Sequence, residues 1–181
     1  MFGLKKFFSA KEQQNLQQDR KAVVSRSNQN DKFPIGYDEN LIDRLKDDHT
    51  ELVRLFTSVI SHVENQRFTK AITELSTFRT LLTSHLITEN TKLYLYLNYA
   101  YQKESTTSEM VSHFRKEMSH IGKSVMSFIQ QYNHSGITAA NQQKFLRQAN
   151  EIAGILVNRI ETEEQRLYEI YEFSLAVAEN A

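Results

Sequence analysis

Two residue types that bind metals stand four positions apart in an apolar stretch near the middle of the chain. His85 and Glu89 are separated by Leu-Ile-Thr, and on an α-helix such positions lie on one face, about 6 Å apart. The apolar residues that fall in the same sector of this helix are Phe78, Leu81, Leu82, Tyr96 and Ala100. A carboxylate among apolar side chains is costly unless it is paired or bound to a cation. The pair therefore indicates either a buried ion pair or half of a metal site inside a helical bundle.

Two further metal-binding side chains fall on the core-facing sides of other predicted helices. His49 lies in the apolar stripe of the first helix, and an antiparallel hairpin would place it at a height similar to that of His85. Glu163 lies between Ile160 and Leu167 in the stripe of the last helix. Each residue alone is readily explained as a packed core residue. Together with His85 and Glu89 they predict a convergence of imidazole and carboxylate groups at mid-bundle.

The third predicted helix leaves its ligand open. Glu117 lies about 60–70° from the centre of the apolar stripe and could reach the core from its flank. His113 and His120 lie more than about 100° from that centre. We therefore prefer Glu117 to both histidines as a candidate ligand, with a solvated face formed by all three residues as the alternative.

Four helices are needed to position these side chains. Apolar residues repeat at helical spacing over about 38–64, 68–101, 109–132 and 138–173. Asp38 is placed to cap the first helix, and a residue of the segment 106–108 is placed to cap the third. Gly136 is a natural left-handed stop for the third helix. The sequence predicts an all-α, up-down-up-down four-helix bundle.

Composition excludes several classes of function. The chain has 22 basic and 22 acidic side chains, which gives no electrostatic argument for nucleic acid or an acidic membrane surface. It has no cysteine and so no disulfide, zinc knuckle or thiol chemistry. No apolar run approaches the roughly 18 residues of a membrane span, and the start does not resemble a cleavable signal peptide. We expect a cytoplasmic protein without a transmembrane segment.

The chain is expected to divide into a tail and one domain. Residues 1–36 are predicted to be a flexible tail and linker, because their polar stretch has too few apolar residues to fold alone. Pro34 and Gly36 mark the start of the domain. The bundle is expected over residues 37–175, followed by a short C-terminal end at 176–181.

These motifs together resemble the haemerythrin-like (HHE cation-binding) domain. The motifs that carry the resemblance are Asp48-His49-Thr50-Glu51-Leu52 in the first helix, His85-Leu-Ile-Thr-Glu89 followed by Leu93-Tyr94 in the second, and Arg159-Ile-Glu-Thr-Glu163-Glu164 in the fourth. The resemblance covers roughly residues 38–173. It implies a non-haem iron site, mononuclear or di-iron, to which His49, His85, Glu89 and Glu163 carry over as ligands.

The sequence departs from the family pattern in the last two helices. Arg159 stands where the family has its fourth-helix histidine, and the third helix has no clear inward histidine. A five-histidine di-iron oxygen carrier therefore does not carry over. The remaining set of two histidines with two or three carboxylates is closer to a carboxylate-rich di-metal bundle site.

Three functional interpretations follow. The first is a non-haem iron site that binds or senses oxygen, nitric oxide, peroxide or iron itself. The second is a metal-free bundle that binds a protein partner, since the chain is also faintly similar to bacterial regulators that sequester a sigma factor and carry a His followed by a Glu on their second helix. The third is a di-iron oxidase. The sequence leaves open the physiological ligand, the number of metal ions and whether the protein is an enzyme.

Overall fold

A computed structural model describes the backbone of residues 36–178 and the side chains of residues 36–174. The predicted flexible tail, apart from Gly36, lies outside the described residues. The last three residues of the predicted C-terminal end also lie outside them. Within the described range no helix is both long and apolar enough to cross a membrane.

The described residues form four long helices and no strand, which confirms the predicted all-α four-helix bundle. The second and fourth long helices each contain a short π-helical segment. The elements in chain order are α1 (Leu41–Glu64), α2 (Phe68–Thr88), a first π segment (Glu89–Leu93), α3 (Tyr94–Ala100), α4 (Ser105–Ser135), α5 (Gln142–Thr162), a second π segment (Glu163–Leu167) and α6 (Tyr168–Ala178). The second long helix thus comprises α2, the first π segment and α3, and the fourth comprises α5, the second π segment and α6.

Short connections join the long helices and place consecutive ones side by side. The turns occupy residues 65–67, 101–104 and 136–141. Helix α1 packs against α2 and α5, and α4 packs against α2, α3 and α5. Gly136 ends α4 with a φ of 72°, a conformation that favours glycine, and its N–H donates to the carbonyl of Tyr132. The stop predicted at this glycine is confirmed.

The starts of two helices differ from the prediction. Asp38 does not occupy the cap position, because α1 begins at Leu41 and follows Asn40. The side chain of Asp38 instead accepts the N–H of Asn40 at 3.2 Å, within the turn that precedes the helix. Helix α4 begins at Ser105, earlier than expected, so Thr107 is a buried residue of its first turn. The prediction at Asp38 was wrong because a polar residue near a helix start also stabilises the turn before it, and the prediction for α4 was wrong because that helix begins before residue 106.

The π segments rotate the core-facing side of the helices beyond them. A π turn holds one more residue than an α turn, so the 3.6-residue repeat used for the prediction is broken at Glu89 and again at Glu163. The 3.6-residue repeat places Tyr96 of the second helix in the apolar sector and leaves Tyr94 and Tyr101 outside it, whereas all three tyrosines are buried. The extra residue explains this error.

A polar layer separates two apolar cores. One core lies toward the ends of α1 and α4 that meet the start of α5, and its largest members are Phe56, Phe78, Phe128, Tyr132 and Phe145. The other gathers α3, α6 and the start of α1 through Leu41, Leu45, Leu97, Tyr168 and Tyr171. Along α1 and along the second and fourth long helices, five buried polar residues fall between the two sets; they are His49, His85, Glu89, Arg159 and Glu163. This layer is the candidate site.

Candidate metal centre

Three of the predicted ligands converge inside the bundle. His49 of α1, His85 of α2 and Glu163 at the start of the second π segment each offer a nitrogen or oxygen atom, and these atoms lie within 4.8 Å of one another. All three residues are buried, with at most 3 % of their surface exposed. The shortest described contact among them joins His49 Nε2 and Glu163 Oε2 at 3.4 Å. The structure thus brings together three groups that lie on three different long helices.

Glu89 lies beside this cluster with one oxygen atom unpaired. Its Oε2 is 3.9 Å from His85 Nε2 and has no hydrogen-bond partner among the described residues. Its Oε1 accepts a long hydrogen bond of 3.4 Å from the hydroxyl of Tyr168. Burial, and then the charge of Glu163, raise the pKa of Glu89 well above its ordinary range. A fully buried carboxylate of this kind requires either a proton or a cation.

Two carboxylates at the rim hold the imidazole rings from behind. Glu164 Oε1 lies 2.9 Å from His49 Nδ1, and Asp48 Oδ2 lies 3.4 Å from His85 Nδ1. Because an ionised carboxylate only accepts hydrogen bonds, each Nδ1 carries a proton. This leaves each Nε2 facing the centre, the arrangement typical of imidazoles that bind a metal.

The two imidazoles have opposite pKa shifts. Burial lowers the pKa of His49, but hydrogen bonds to Glu163 and Glu164 and their charges outweigh it, so the net shift is upward. Burial and the neighbouring charge of His49 lower the pKa of His85. His85 therefore presents a lone pair near neutral pH, whereas a cation must displace the proton that His49 tends to hold.

Arg159 lies in the same layer and is 4 % exposed. Its Nε donates to Glu163 Oε1 at 2.6 Å. Its Nη2 donates to the hydroxyl of Tyr94 at 3.0 Å and to the backbone carbonyl of Phe114 at 3.1 Å. The buried carboxylate that Arg159 bonds is therefore that of Glu163.

The structure does not bring the third-helix candidates into the cluster. The side chain of Glu117 is 52 % exposed, and its Oε2 lies 3.4 Å from Arg159 Nη1 and 3.6 Å from His113 Nδ1. His113 and His120 are exposed. At this level of α4 the inward positions belong to Phe114 and Met118, which are buried. Glu117 contacts the polar layer at Arg159 on its rim and does not reach the donor atoms of the cluster.

Two tyrosines of the centre were missed by sequence reasoning. Tyr168 stacks on the ring of His49 with 5.7 Å between centroids, and its hydroxyl lies 3.3 Å from His49 Nε2. Tyr94 bonds Arg159, as described above. Burial raises the pKa of both phenols, so each is a neutral hydroxyl in the metal-free protein. The signal that could have found them is their position five residues after Glu89 and Glu163, in two matching Leu-Tyr pairs.

A small apolar cavity adjoins the cluster. It has a volume of about 60 Å³ and lies between α1, α2, α4 and α5. Its lining includes the partly exposed Val53 and Val157 as well as the buried His49, His85 and Glu163. Such a volume accommodates water or a diatomic molecule. The cavity therefore lies between partly exposed side chains and the donor atoms of the cluster.

Comparison with models of known protein families identifies the family of the chain. Residues 40–171 match the family model described as the Hemerythrin HHE cation binding domain. The chain belongs to this family. The match runs from the start of α1 into α6 and so includes all four long helices. No curated protein and no solved structure matches the chain.

The residues of this HHE domain fit the cation that the family name implies. The donor set contains two imidazole nitrogens and a carboxylate, a combination that suits first-row transition metals. The observation that tests the fit is the buried Oε2 of Glu89, which has no hydrogen-bond partner among the described residues and which a cation would satisfy. Family and donor set together indicate a metal-binding protein.

Proposed function

We propose that the protein binds non-haem iron in this centre and that the loaded centre binds or senses oxygen, nitric oxide, peroxide or iron itself in the cytoplasm. The observation that carries the proposal is the buried cluster of His49, His85 and Glu163, whose donor atoms lie within 4.8 Å of one another. Two histidines and one carboxylate are the donors typical of non-haem iron proteins.

The residues have distinct roles in this proposal. His49, His85 and Glu163 would hold the metal, and Glu89 adds a carboxylate beside them. Bound iron supplies a Lewis acid that changes oxidation state and attracts small ligands. Asp48 fixes the orientation of the His85 ring through Nδ1, as Glu164 does for His49.

The surroundings of the centre select small ligands. The apolar cavity of about 60 Å³ contains Leu52, Phe56 and Leu156 in its lining and excludes bulky molecules. The hydroxyl of Tyr168 lies at the centre and holds a proton that it donates to Glu89. A diatomic molecule or peroxide that enters the cavity therefore meets mostly apolar side chains on its way to His49, His85 and Glu163.

Metal analysis of the full chain tests the proposal. The protein is purified without a histidine tag or chelator, loaded anaerobically with Fe²⁺, desalted and analysed for iron. Replacement of His49 or His85 by Ala should lower bound iron severalfold, since each change removes a proposed ligand. The matched control is His120→Ala, which removes an exposed histidine of α4 and should leave iron unchanged.

Two results would contradict the proposal. Unchanged iron content in both His49→Ala and His85→Ala would show that the cluster is not the binding site. A native protein of full helical content that binds no iron would favour the alternative of a metal-free bundle that acts on a protein partner. Circular dichroism of each variant separates loss of a ligand from loss of the fold.

A further inference from the structure

The second and fourth long helices carry the same local pattern around their buried carboxylates. In each, a nitrogen-bearing side chain precedes a buried glutamate by four residues, the glutamate opens a π segment of five residues, and a buried tyrosine follows directly. The members in this order are His85, Glu89 and Tyr94 in the second helix and Arg159, Glu163 and Tyr168 in the fourth. Arg159 therefore occupies in the fourth helix the position that His85 occupies in the second.

The centre consequently has two halves. The imidazole half contains His49 and His85, with the hydroxyl of Tyr168 at 3.3 Å from His49 Nε2. The guanidinium half contains Arg159, with the hydroxyl of Tyr94 at 3.0 Å from its Nη2. The imidazole half combines His85 of the second long helix with Tyr168 of the fourth. The guanidinium half combines Arg159 of the fourth long helix with Tyr94 of the second.

Glu163 joins the two halves. Its Oε2 lies 3.4 Å from His49 Nε2 in the imidazole half. Its Oε1 accepts the 2.6 Å bond from Arg159 Nε in the guanidinium half. One carboxylate thus faces a cluster of donor atoms with one oxygen and a buried cation with the other.

The guanidinium half is already filled by a cation. Arg159 makes charged contacts to Glu163 and Glu117, hydrogen bonds to Tyr94 and to the carbonyl of Phe114, and places Cζ 4.9 Å from the centroid of the Phe114 ring. A guanidinium stays protonated and offers no lone pair to a metal. Arg159 therefore supplies positive charge to this half but no ligand.

Helix α4 does not supply the nitrogen ligand that the guanidinium half lacks. A nitrogen ligand for a second metal ion beside Glu163 would have to come from α4 or from the position of Arg159. His113 and His120 of α4 are exposed, and the inward residues at this level are Phe114 and Met118. Among the described residues the guanidinium half thus offers carboxylate and phenol oxygens without a nitrogen ligand.

We propose that the centre holds one metal ion per chain, in the imidazole half, and that the guanidinium of Arg159 takes the place of a second ion. This inference rests on the proposed function, because it concerns the same site. It deepens that proposal by assigning the number of ions and the residue that limits it. The buried pair of Glu89 and Glu163 then receives positive charge from one metal ion and one arginine.

Cobalt binding to the full chain tests the inference. Co²⁺ is the probe because it accepts the same nitrogen and oxygen donors and is stable in air. Equilibrium titration followed by elemental analysis should give one ion per native chain, and electron paramagnetic resonance should show one uncoupled high-spin ion. Arg159→His supplies a nitrogen donor four residues before Glu163 and should admit a second ion, while Arg159→Lys keeps the charge and should bind one.

The outcomes are distinguishable. Two ions per native chain, or a signal from two coupled ions, would overturn the inference and leave the proposed function standing. A folded Arg159→His protein that still binds one ion would also overturn it, since Arg159 would then not be the limiting residue. No ion bound to the native chain would refute the proposed function together with the inference. The native stoichiometry decides the number of ions by itself if Arg159→His fails to fold.

Discussion

Replacement of Glu89 by Gln should stabilise the metal-free protein and weaken its metal binding. Glu89 is fully buried, and its Oε2 has no hydrogen-bond partner among the described residues. An unsatisfied buried polar atom costs about 1–3 kcal/mol. We expect Glu89→Gln to raise the free energy of unfolding by about that amount. For a chain of this size each kcal/mol corresponds to about 2–4 °C in Tm.

The amide fits the contacts of the carboxylate it replaces. Its oxygen still accepts the bond from the Tyr168 hydroxyl that now ends at Glu89 Oε1. Its nitrogen replaces Oε2, which lies 3.9 Å from His85 Nε2. Because the pKa of His85 is lowered by burial and by the charge of His49, His85 Nε2 has a lone pair that can accept a hydrogen bond from the amide once the two atoms move closer than 3.9 Å. The substitution thus removes a buried charge and supplies a donor.

Glu163→Gln is the matched control with the opposite sign. Glu163 accepts the 2.6 Å bond from Arg159 and is almost fully buried. Removing its charge leaves a buried guanidinium without its main counter-ion, which costs about 3–5 kcal/mol. Both variants lose a carboxylate of the centre and should bind less metal. Only Glu89→Gln should gain stability without metal.

The pH dependence gives a second sign to check. The raised pKa of Glu89 means that the folded state disfavours its ionised form. The cost of Glu89 is therefore absent well below the ordinary glutamate pKa of about 4.3 and grows as pH rises from there to the raised pKa of the folded state. The gain from Glu89→Gln should be small near pH 4 and larger at neutral pH.

The assay is urea unfolding of chelator-treated native, Glu89→Gln and Glu163→Gln proteins between pH 4 and pH 7.5, with metal content measured in parallel. If Glu89→Gln destabilises the protein as much as Glu163→Gln does, the account of an uncompensated carboxylate is refuted. A gain that does not change with pH would refute the assignment of the effect to ionisation.

Three further outcomes are expected. Glu164→Gln keeps an acceptor for Nδ1 of His49 but removes a charge that raises the pKa of this imidazole, so metal binding should persist to lower pH. Titration with Co²⁺ at a series of pH values measures the pH at which binding is lost, and a value that is unchanged or higher in the variant contradicts the prediction. Val157→Phe places a larger side chain in the lining of the cavity and should slow the binding of nitric oxide to the iron-loaded protein without changing its iron content, as followed by stopped-flow absorbance; an unaltered rate would exclude this cavity as the route. In air, the Fe²⁺ of the reduced, iron-loaded protein should be oxidised to Fe³⁺ within minutes, because carboxylate donors favour the ferric state. A ferrous-specific chelator added at intervals measures the remaining Fe²⁺, and Fe²⁺ that persists for hours contradicts the prediction.

The sequence by itself determined the bundle and the positions at which four of its polar residues, His49, His85, Glu89 and Glu163, enter the core. Helical periodicity is a local property of the chain, so the stripes of α1 and α2 placed His49 and His85 on inward faces before any packing was known. Residues four positions apart, such as His85 and Glu89, lie on the same face of any α-helix. Glu163 was visible for the same reason, as a carboxylate at an apolar position.

The tertiary structure alone decided which atoms meet. Contacts between helices depend on the relative height and rotation of the helices, and one extra residue in a π segment rotates everything beyond it by about 100°. That rotation turns Tyr94 and Tyr168 toward the centre, although an uninterrupted 3.6-residue repeat does not place both of them there. Packing also determined that Arg159 bonds Glu163. Glu117 lies at the rim because Phe114 and Met118 occupy the inward positions of α4. Such choices arise from competition between side chains for the same space, and no single helix of the sequence contains that information.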